Sequence, residues 1–276
     1  MSESVHLMGI GGVGMAAVAE LLVAQGLRVS GCDGKDSATL ERLQALGIEV
    51  NVGHSPQHLT GLDRLILSSA ILESNPELLA ARRQPELVVQ HRSEALAQLA
   101  NVRRLVAVAG THGKTTTSAM VVAALEAAGL EPSYAIGSEL SGRDSGAHLG
   151  TGPVMVIEAD ESDGSFLNYQ PEVAVVTNVE ADHLDYYHTA AAYEAAFREF
   201  TARVQPPGVL VTDASDPGAR ALATAVQAGG VAADGVEVWT YGLDSGPAEP
   251  IGIPLRGRHM ALNAQAALLV AQWFGA

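Results

Sequence analysis

The chain predicts two α/β modules in series, each built on an open parallel sheet with helices on both faces. Three observations lead there. Short apolar runs rich in Val, Ile and Leu alternate with helix-length segments along nearly all 276 residues, the pattern of buried strands joined by crossover helices. Two of these runs stop at glycine turns that open directly into a helix pattern, at residues 9–14 and 110–114. Between them Asn101-Val102-Arg103-Arg104 interrupts the apolar periodicity just before a new buried strand, which sets a boundary at about residue 103.

In the first module, about 1–103, residues 5–8 form a strand and the Ala-rich stretch up to about Gln25 a helix. Strands follow at 27–33 and 64–68, and helices at 38–46 and 76–83. The first turn, Gly9-Ile10-Gly11-Gly12-Val13-Gly14, is a G-x-G-x-x-G with Asp33 nineteen residues past its last glycine. Glycines allow a tight turn and close backbone approach to a diphosphate, and an acid at that distance reaches a ribose hydroxyl. The pattern admits a nicotinamide dinucleotide as readily as a nucleotide sugar.

The second module, about 104–276, has strands at 105–110, 154–159, 173–178, 208–212 and 236–241. Its helices are at 114–128, 190–204, 215–228 and 262–274. Its first turn, Gly110-Thr111-His112-Gly113-Lys114-Thr115-Thr116-Thr117, sets backbone N–H groups and a helix N-terminus where an anion is favoured. Lys114 adds a mobile cation and Thr115 a hydroxyl for a magnesium ion, which points to nucleoside triphosphate chemistry. The common form of this loop needs glycine at 108, where this chain has Val108, so the reading rests on the strand–loop–helix context. At the end of the strand at 154–159 stand Glu158, Asp160, Glu161 and Asp163, four carboxylates suited to a magnesium site. After the strand at 173–178 comes His183 between Asp182 and Asp185, suited to metal ligation or acid–base work. Both clusters follow strand C-termini, where open α/β sheets bind ligands. Cys32 reads as a small core residue, and His6, His54, His58, His91, His148 and His188 as surface or structural.

Sixteen basic against 31 acidic residues leave a formal charge of −15, which argues against nonspecific binding to nucleic acid or anionic membranes. Phosphorylated substrates must then be held by local devices such as glycine loops, helix ends and metal ions. A single cysteine excludes an internal disulfide framework and suits a reducing, cytoplasmic setting. Neither a long uncharged apolar run nor a basic-then-apolar leader is present, so no membrane span and no signal peptide are expected.

Together, Gly-Ile-Gly-Gly-Val-Gly-Met at 9–15, Gly-Thr-His-Gly-Lys-Thr-Thr-Thr at 110–117, Glu-Ala-Asp-Glu-Ser-Asp-Gly-Ser-Phe at 158–166 and Asn-Val-Glu-Ala-Asp-His-Leu-Asp at 178–185 resemble the Mur ligases of peptidoglycan synthesis. His112 resembles the alanine-adding and tripeptide-recycling branches of that family rather than the later ligases, and the run at 9–12 with Ser68-Ser69-Ala70-Ile71 resembles the alanine-adding branch more than the recycling one. The family's loop is the shorter Gly-Thr-x-Gly-Lys form, which removes the objection from Val108. The resemblance implies a Rossmann-like, UDP-sugar-binding domain over 1–103 and a P-loop-type α/β, ATP-binding domain over 104–276.

By position, the resemblance gives the ATP phosphates to Gly110, Thr111, His112, Gly113, Lys114, Thr115 and Thr116. Thr115 and Glu158 would hold one magnesium ion and His183 a second, so that Lys114, Glu158 and His183 make up the implied catalytic set. Gly9, Gly11, Gly12 and Gly14 would take the UDP diphosphate, with Asp33 near its nucleoside and Ser69 among the substrate contacts. Asn263 resembles the adenine-contacting residue, although Met260 follows His259 where the family usually has Asn.

The implied reaction joins UDP-N-acetylmuramate to L-alanine. The muramate carboxylate takes the γ-phosphate of ATP, and the amine then displaces phosphate from the acyl phosphate, with magnesium and Lys114 neutralising charge. The family's third domain is not expected within these residues, and the chain reads as shortened near 246–250. The polypeptide is therefore expected to bind nucleotides without completing ligation at a normal rate. A dehydrogenase reading of the first glycine turn leaves the second loop and both acidic clusters unused. A non-catalytic nucleotide-binding module would use them all without turnover.

Overall fold

The computed structural model describes residues 2–140, 142–242 and 257–276; the segment expected to be shortened, 246–250, lies outside the described residues. The chain divides into two compact units, one of residues 1–98 with 137–149 and one of 99–136 with 150–276.

In the first unit five parallel strands, β1 (Ser4–Met8), β2 (Arg28–Asp33), β3 (Glu49–Val52), β4 (Arg64–Leu67) and β5 (Val88–His91), lie in the order β3–β2–β1–β4–β5. Chain succession runs outward from β1 in both directions, so a topological switch falls between β1 and β4, where ligand crevices form. The central strand is apolar enough to be covered on both faces: Val5, Leu7 and Met8 are fully buried. Each such side chain contributes about 1.5–3 kcal/mol on burial. Helices α1 (Val13–Ala24), α2 (Ala38–Ala45), α3 (Pro76–Ala81) and α4 (Arg92–Ala100) complete this part of the chain. Ser37 caps α2 by accepting the Leu40 N–H, and Asn75 caps α3 ahead of Pro76 at the first helical position. Three elements carry no strong sequence signal. β3 is a half-exposed edge without an apolar run, and β5 passes into α4 at His91-Arg92 with no turn residue between them.

The two-residue strand β8 (Ala147–His148) lies in the segment that belongs with the first unit. The second unit holds β6 (Arg104–Ala109), β7 (Ser133–Ala135), β9 (Val154–Glu158), β10 (Val173–Val176), β11 (Gly208–Asp213) and β12 (Val236–Tyr241). They run in the order β12–β11–β10–β6–β9–β7. Val108 is level with Glu158 on β9 and Ala109 with Val176 on β10, so three adjacent strands end together. Its helices are α5 (Lys114–Ala127), α6 (Leu184–Tyr187), α7 (Ala190–Ala202), α8 (Pro217–Gln227) and α9 (Arg258–Trp273). α9 begins four residues before the expected 262, directly after Gly257 at φ +114°. Phe166, fully buried, packs on Phe197 and Phe200 of α7 at 5.2 and 5.1 Å between ring centroids. That contact anchors the loop after β9. Among the described residues no helix is long and apolar enough to cross a membrane.

Candidate functional site

The loop after β6 is shaped by its neighbours before any ligand is considered. Gly110 has φ +136°, and a Cβ there would lie 2.0 Å from Thr177 Oγ1, so only glycine lets the chain turn past the end of β10. Thr177 Oγ1 donates to the His112 carbonyl at 2.6 Å. Asn178 accepts the His112 N–H at 2.8 Å and donates to its carbonyl at 2.9 Å. The Thr111 hydroxyl donates to the Glu180 carbonyl at 2.9 Å and accepts its N–H at 3.0 Å, with the Tyr193 hydroxyl 2.9 Å away. α5 then starts from Gly113 at φ +83° with no side-chain cap, which leaves the first helical N–H groups for an external anion.

Lys114 and Thr115 meet the acidic loop here. Lys114 Nζ donates to the Gly110 carbonyl at 2.7 Å and lies 2.9 Å from each oxygen of Glu161. Glu161 is fully buried. Burial pushes its carboxyl above the ordinary carboxylate range, and the Lys114 ammonium opposes the shift without cancelling it. Tyr187 donates its hydroxyl to the Glu161 backbone carbonyl, tying the same loop to α6. Thr115 Oγ1 donates to Glu158 Oε1 at 2.8 Å. A hydroxyl and a carboxylate in contact, both half-buried, form the hard-oxygen donor pair that suits magnesium. His183, in the left-handed region at φ +51°, brings Nε2 to 3.6 Å from Glu161 Oε1. The other two acids of the first cluster hold turns: Asp160 accepts from the Ser162 N–H and Asp163 from the Ser165 N–H.

Asn263 on α9 is buried, and its Oδ1 lies 3.2 Å from where a Cβ of Gly113 would stand. It therefore abuts the phosphate loop. Met260 is half-buried and His259 exposed.

In the first unit the Cys32 carbonyl accepts the N–H groups of Gly9 and Ile10 at 2.8 and 3.1 Å. Asp33 Oδ2 accepts the Gly11 N–H at 3.0 Å, so the acid braces the glycine turn itself. α1 starts at Gly12 without a side-chain cap. The Arg92 guanidinium stands 2.9 Å from the Cβ position of Gly14, and Ser69 Oγ pairs with His91 Nε2 at 3.0 Å. Arg92 stands against the turn and His91 against Ser69, and the motifs mark neither. Their signal was a basic pair at the end of β5, beside the topological switch. Glu161 stands among the four carboxylates read as suited to magnesium, but the structure sets it against Lys114 instead, and Tyr187, just past the second quoted stretch, carries no sequence signal. Of the histidines read as surface or structural, His6 is buried and His6, His54 and His58 surround the buried Glu77 together with Cys32.

The model of the Mur ligase family catalytic domain matches residues 4–104, and that of the Mur ligase middle domain matches residues 108–271. A UDP-N-acetylmuramate–L-alanine ligase of Kineococcus radiotolerans is 52% identical over 99% of this chain, which spans 62% of that relative. One from a Nocardioides species is 48% identical over 96% of the chain and 58% of the relative. Among solved structures, a UDP-N-acetylmuramate:L-alanyl-γ-D-glutamyl-meso-diaminopimelate ligase of Neisseria meningitides is 26% identical, with TM-score 0.86. The match covers 100% of this chain and 95% of that one. A UDP-N-acetylmuramate-alanine ligase of Thermotoga maritima is 27% identical, with TM-score 0.81 over 99% of this chain and 65% of that one. With the glycine turn of each unit lying inside a matched stretch, the chain belongs to the Mur ligase family.

Proposed function

We propose that these residues form the two nucleotide-binding modules of a cytoplasmic, ATP-dependent ligase that joins UDP-N-acetylmuramate to L-alanine in peptidoglycan precursor synthesis. One observation carries this reading. Lys114, Thr115, Glu158 and His183 gather at the uncapped start of α5, where three adjacent strands end level. There the helix N–H groups and Lys114 take up phosphate charge, Thr115 and Glu158 hold one magnesium ion, and His183 holds a second. ATP and magnesium supply the activated phosphoryl group that turns a carboxylate into an acylating agent. Asn263 sits on the adenine side of the loop. In the first unit the glycine turn and Arg92 take the diphosphate of the UDP-sugar, and Ser69 adds a substrate contact. An L-alanine acceptor is favoured over a tripeptide because the alanine-named relatives are the more similar in sequence.

Calorimetric titration of the 276-residue chain tests this reading, using UDP-N-acetylmuramate and a nonhydrolysable ATP analogue with and without magnesium. Both ligands bind, the analogue only with magnesium, and Lys114→Ala removes the analogue's heat while leaving that of the sugar nucleotide. Loss of both signals in that variant, or neither binding to the parent, refutes it. The chain spans only about three-fifths of its curated relatives, so this polypeptide alone is expected to release little ADP on addition of L-alanine. Robust L-alanine-dependent release overturns that expectation.

A further inference from the structure

A second cluster of chemistry-bearing side chains lies in the first unit and shares none of the residues assigned to nucleotide. His6 on β1, Cys32 on β2, His58 in the 3-10 turn Pro56–Leu59 and Glu77 on α3 each offer one donor atom, all within 4.8 Å of one another. The measured edges are 3.4 Å for Cys32 Sγ to Glu77 Oε2 and 3.2 Å for His6 Nε2 to Glu77 Oε1. His58 Nδ1 stands 3.3 Å from either oxygen. Zinc bond lengths of about 2.0–2.3 Å in a tetrahedron separate neighbouring ligand atoms by roughly 3.3–3.8 Å. The three edges to Glu77 lie within a few tenths of an ångström of that range, and the four donor atoms all lie within 4.8 Å of one another.

Two further observations point to a ligand. His6 is 1% exposed, and its Nδ1 is held by Ser30 Oγ at 2.8 Å across the β1–β2 pair. Its Nε2 faces Glu77 Oε1 at 3.2 Å, off the alignment of a regular hydrogen bond. An imidazole anchored through one nitrogen with the other turned into a cluster of donor atoms is the arrangement of a metal ligand. Glu77 is itself fully buried, braced by the Ser55 N–H at 2.9 Å. His54 Nδ1 stands 3.2 Å from Cys32 Sγ, outside the set of four. A cleft of about 490 Å³ lined by His6, His58, Ser30, Asn51 and Gln57 supplies an entry path.

We propose that His6, Cys32, His58 and Glu77 form a closed structural site for zinc(II). A thiolate with two imidazoles selects zinc over magnesium, and thiolate plus carboxylate balance its double charge. Coordination forms the Zn–S bond and releases the thiol proton to solvent. The ion ties β1, β2, the 3-10 turn and α3 together next to Cys32, whose carbonyl holds the glycine turn.

The test uses the untagged full chain, stripped of metal with EDTA and titrated first with cobalt(II), then with zinc(II). One equivalent of cobalt is expected to give a sulfur-to-cobalt charge-transfer absorption with tetrahedral visible bands, all lost when zinc displaces it. Because Cys32 is the only cysteine, that absorption reports on this site alone. Cys32→Ser should abolish it and weaken zinc binding by more than about 100-fold, beyond the range for outer-sphere partners. His58→Gln, at a partly exposed position, should keep the sulfur band but weaken zinc comparably, and it decides the matter if Cys32→Ser does not fold. Absence of the sulfur band at one equivalent overturns the proposal. So does unchanged zinc affinity in either folded variant, leaving a buried Glu77–imidazole ion pair in its place.

Discussion

The Lys114–Glu161 pair offers the sharpest test of how the phosphate loop is held. Glu161 is fully buried and the Lys114 side chain is 16% exposed, with the ammonium 2.9 Å from both carboxylate oxygens. Removing one partner of a buried ion pair costs about 3–5 kcal/mol, because the remaining charge is stranded. Glu161→Gln should fall near the lower end, since Lys114 keeps the Gly110 carbonyl at 2.7 Å. Lys114→Met should cost as much or more, because the buried Glu161 loses its ammonium partner and keeps only His183 Nε2 at 3.6 Å. The double variant Lys114→Met/Glu161→Gln removes both charges and should cost less than the sum of the singles, with a coupling of about 2 kcal/mol or more. Urea denaturation followed by tryptophan fluorescence measures it cleanly, because both tryptophans, Trp239 and Trp273, lie in the second unit. A pH series adds an independent sign. The folded carboxyl of Glu161 titrates above its unfolded value, so the folded state binds that proton more tightly. Stability from this group therefore falls as pH rises from the ordinary carboxylate range through the raised folded value. Glu161→Gln should remove that slope. Additive single and double costs, within about 0.5 kcal/mol, would refute the reasoning.

Two further outcomes follow from the same unit. Thr111→Val leaves the Glu180 backbone and the buried Tyr193 hydroxyl short of a partner and should lower stability by about 1–3 kcal/mol; an unchanged urea midpoint would count against the loop scaffold described above. Burial pushes Glu172 up, but Arg104 at 2.9 and 2.5 Å and Trp273 Nε1 at 2.8 Å outweigh it and hold the carboxyl below its ordinary range. Its contribution is thus present above the unfolded carboxylate range and lost as pH falls through the folded value. Glu172→Gln should cost about 1–2 kcal/mol at neutral pH, discounted because Arg104 is half exposed, and the difference from the parent should close in acid. A gap that stays constant with pH would refute it.

The sequence by itself determined the two sheets, their parallel sense and the two glycine turns. Apolar runs, helix periods and turn glycines are local signals, set by hydrogen bonding and burial within a few residues. It also marked Thr115, Glu158 and His183 as chemistry-bearing, because polar groups after apolar strands have few structural reasons to be there. Only the tertiary structure decided which of these groups meet. Glu161 looks like any member of its acidic loop until the register of β6 and β9 sets it against Lys114. Arg92 reaches Gly14 because β5 lies beside β4 across the switch, and Asn263 meets Gly113 because α9 packs along α5. His6, Cys32, His58 and Glu77 read singly as core or surface residues and become a cluster only when four segments converge. The physical reason is common to all four cases: strand order and crossover packing join groups tens of residues apart, and no local periodicity encodes which strands become neighbours.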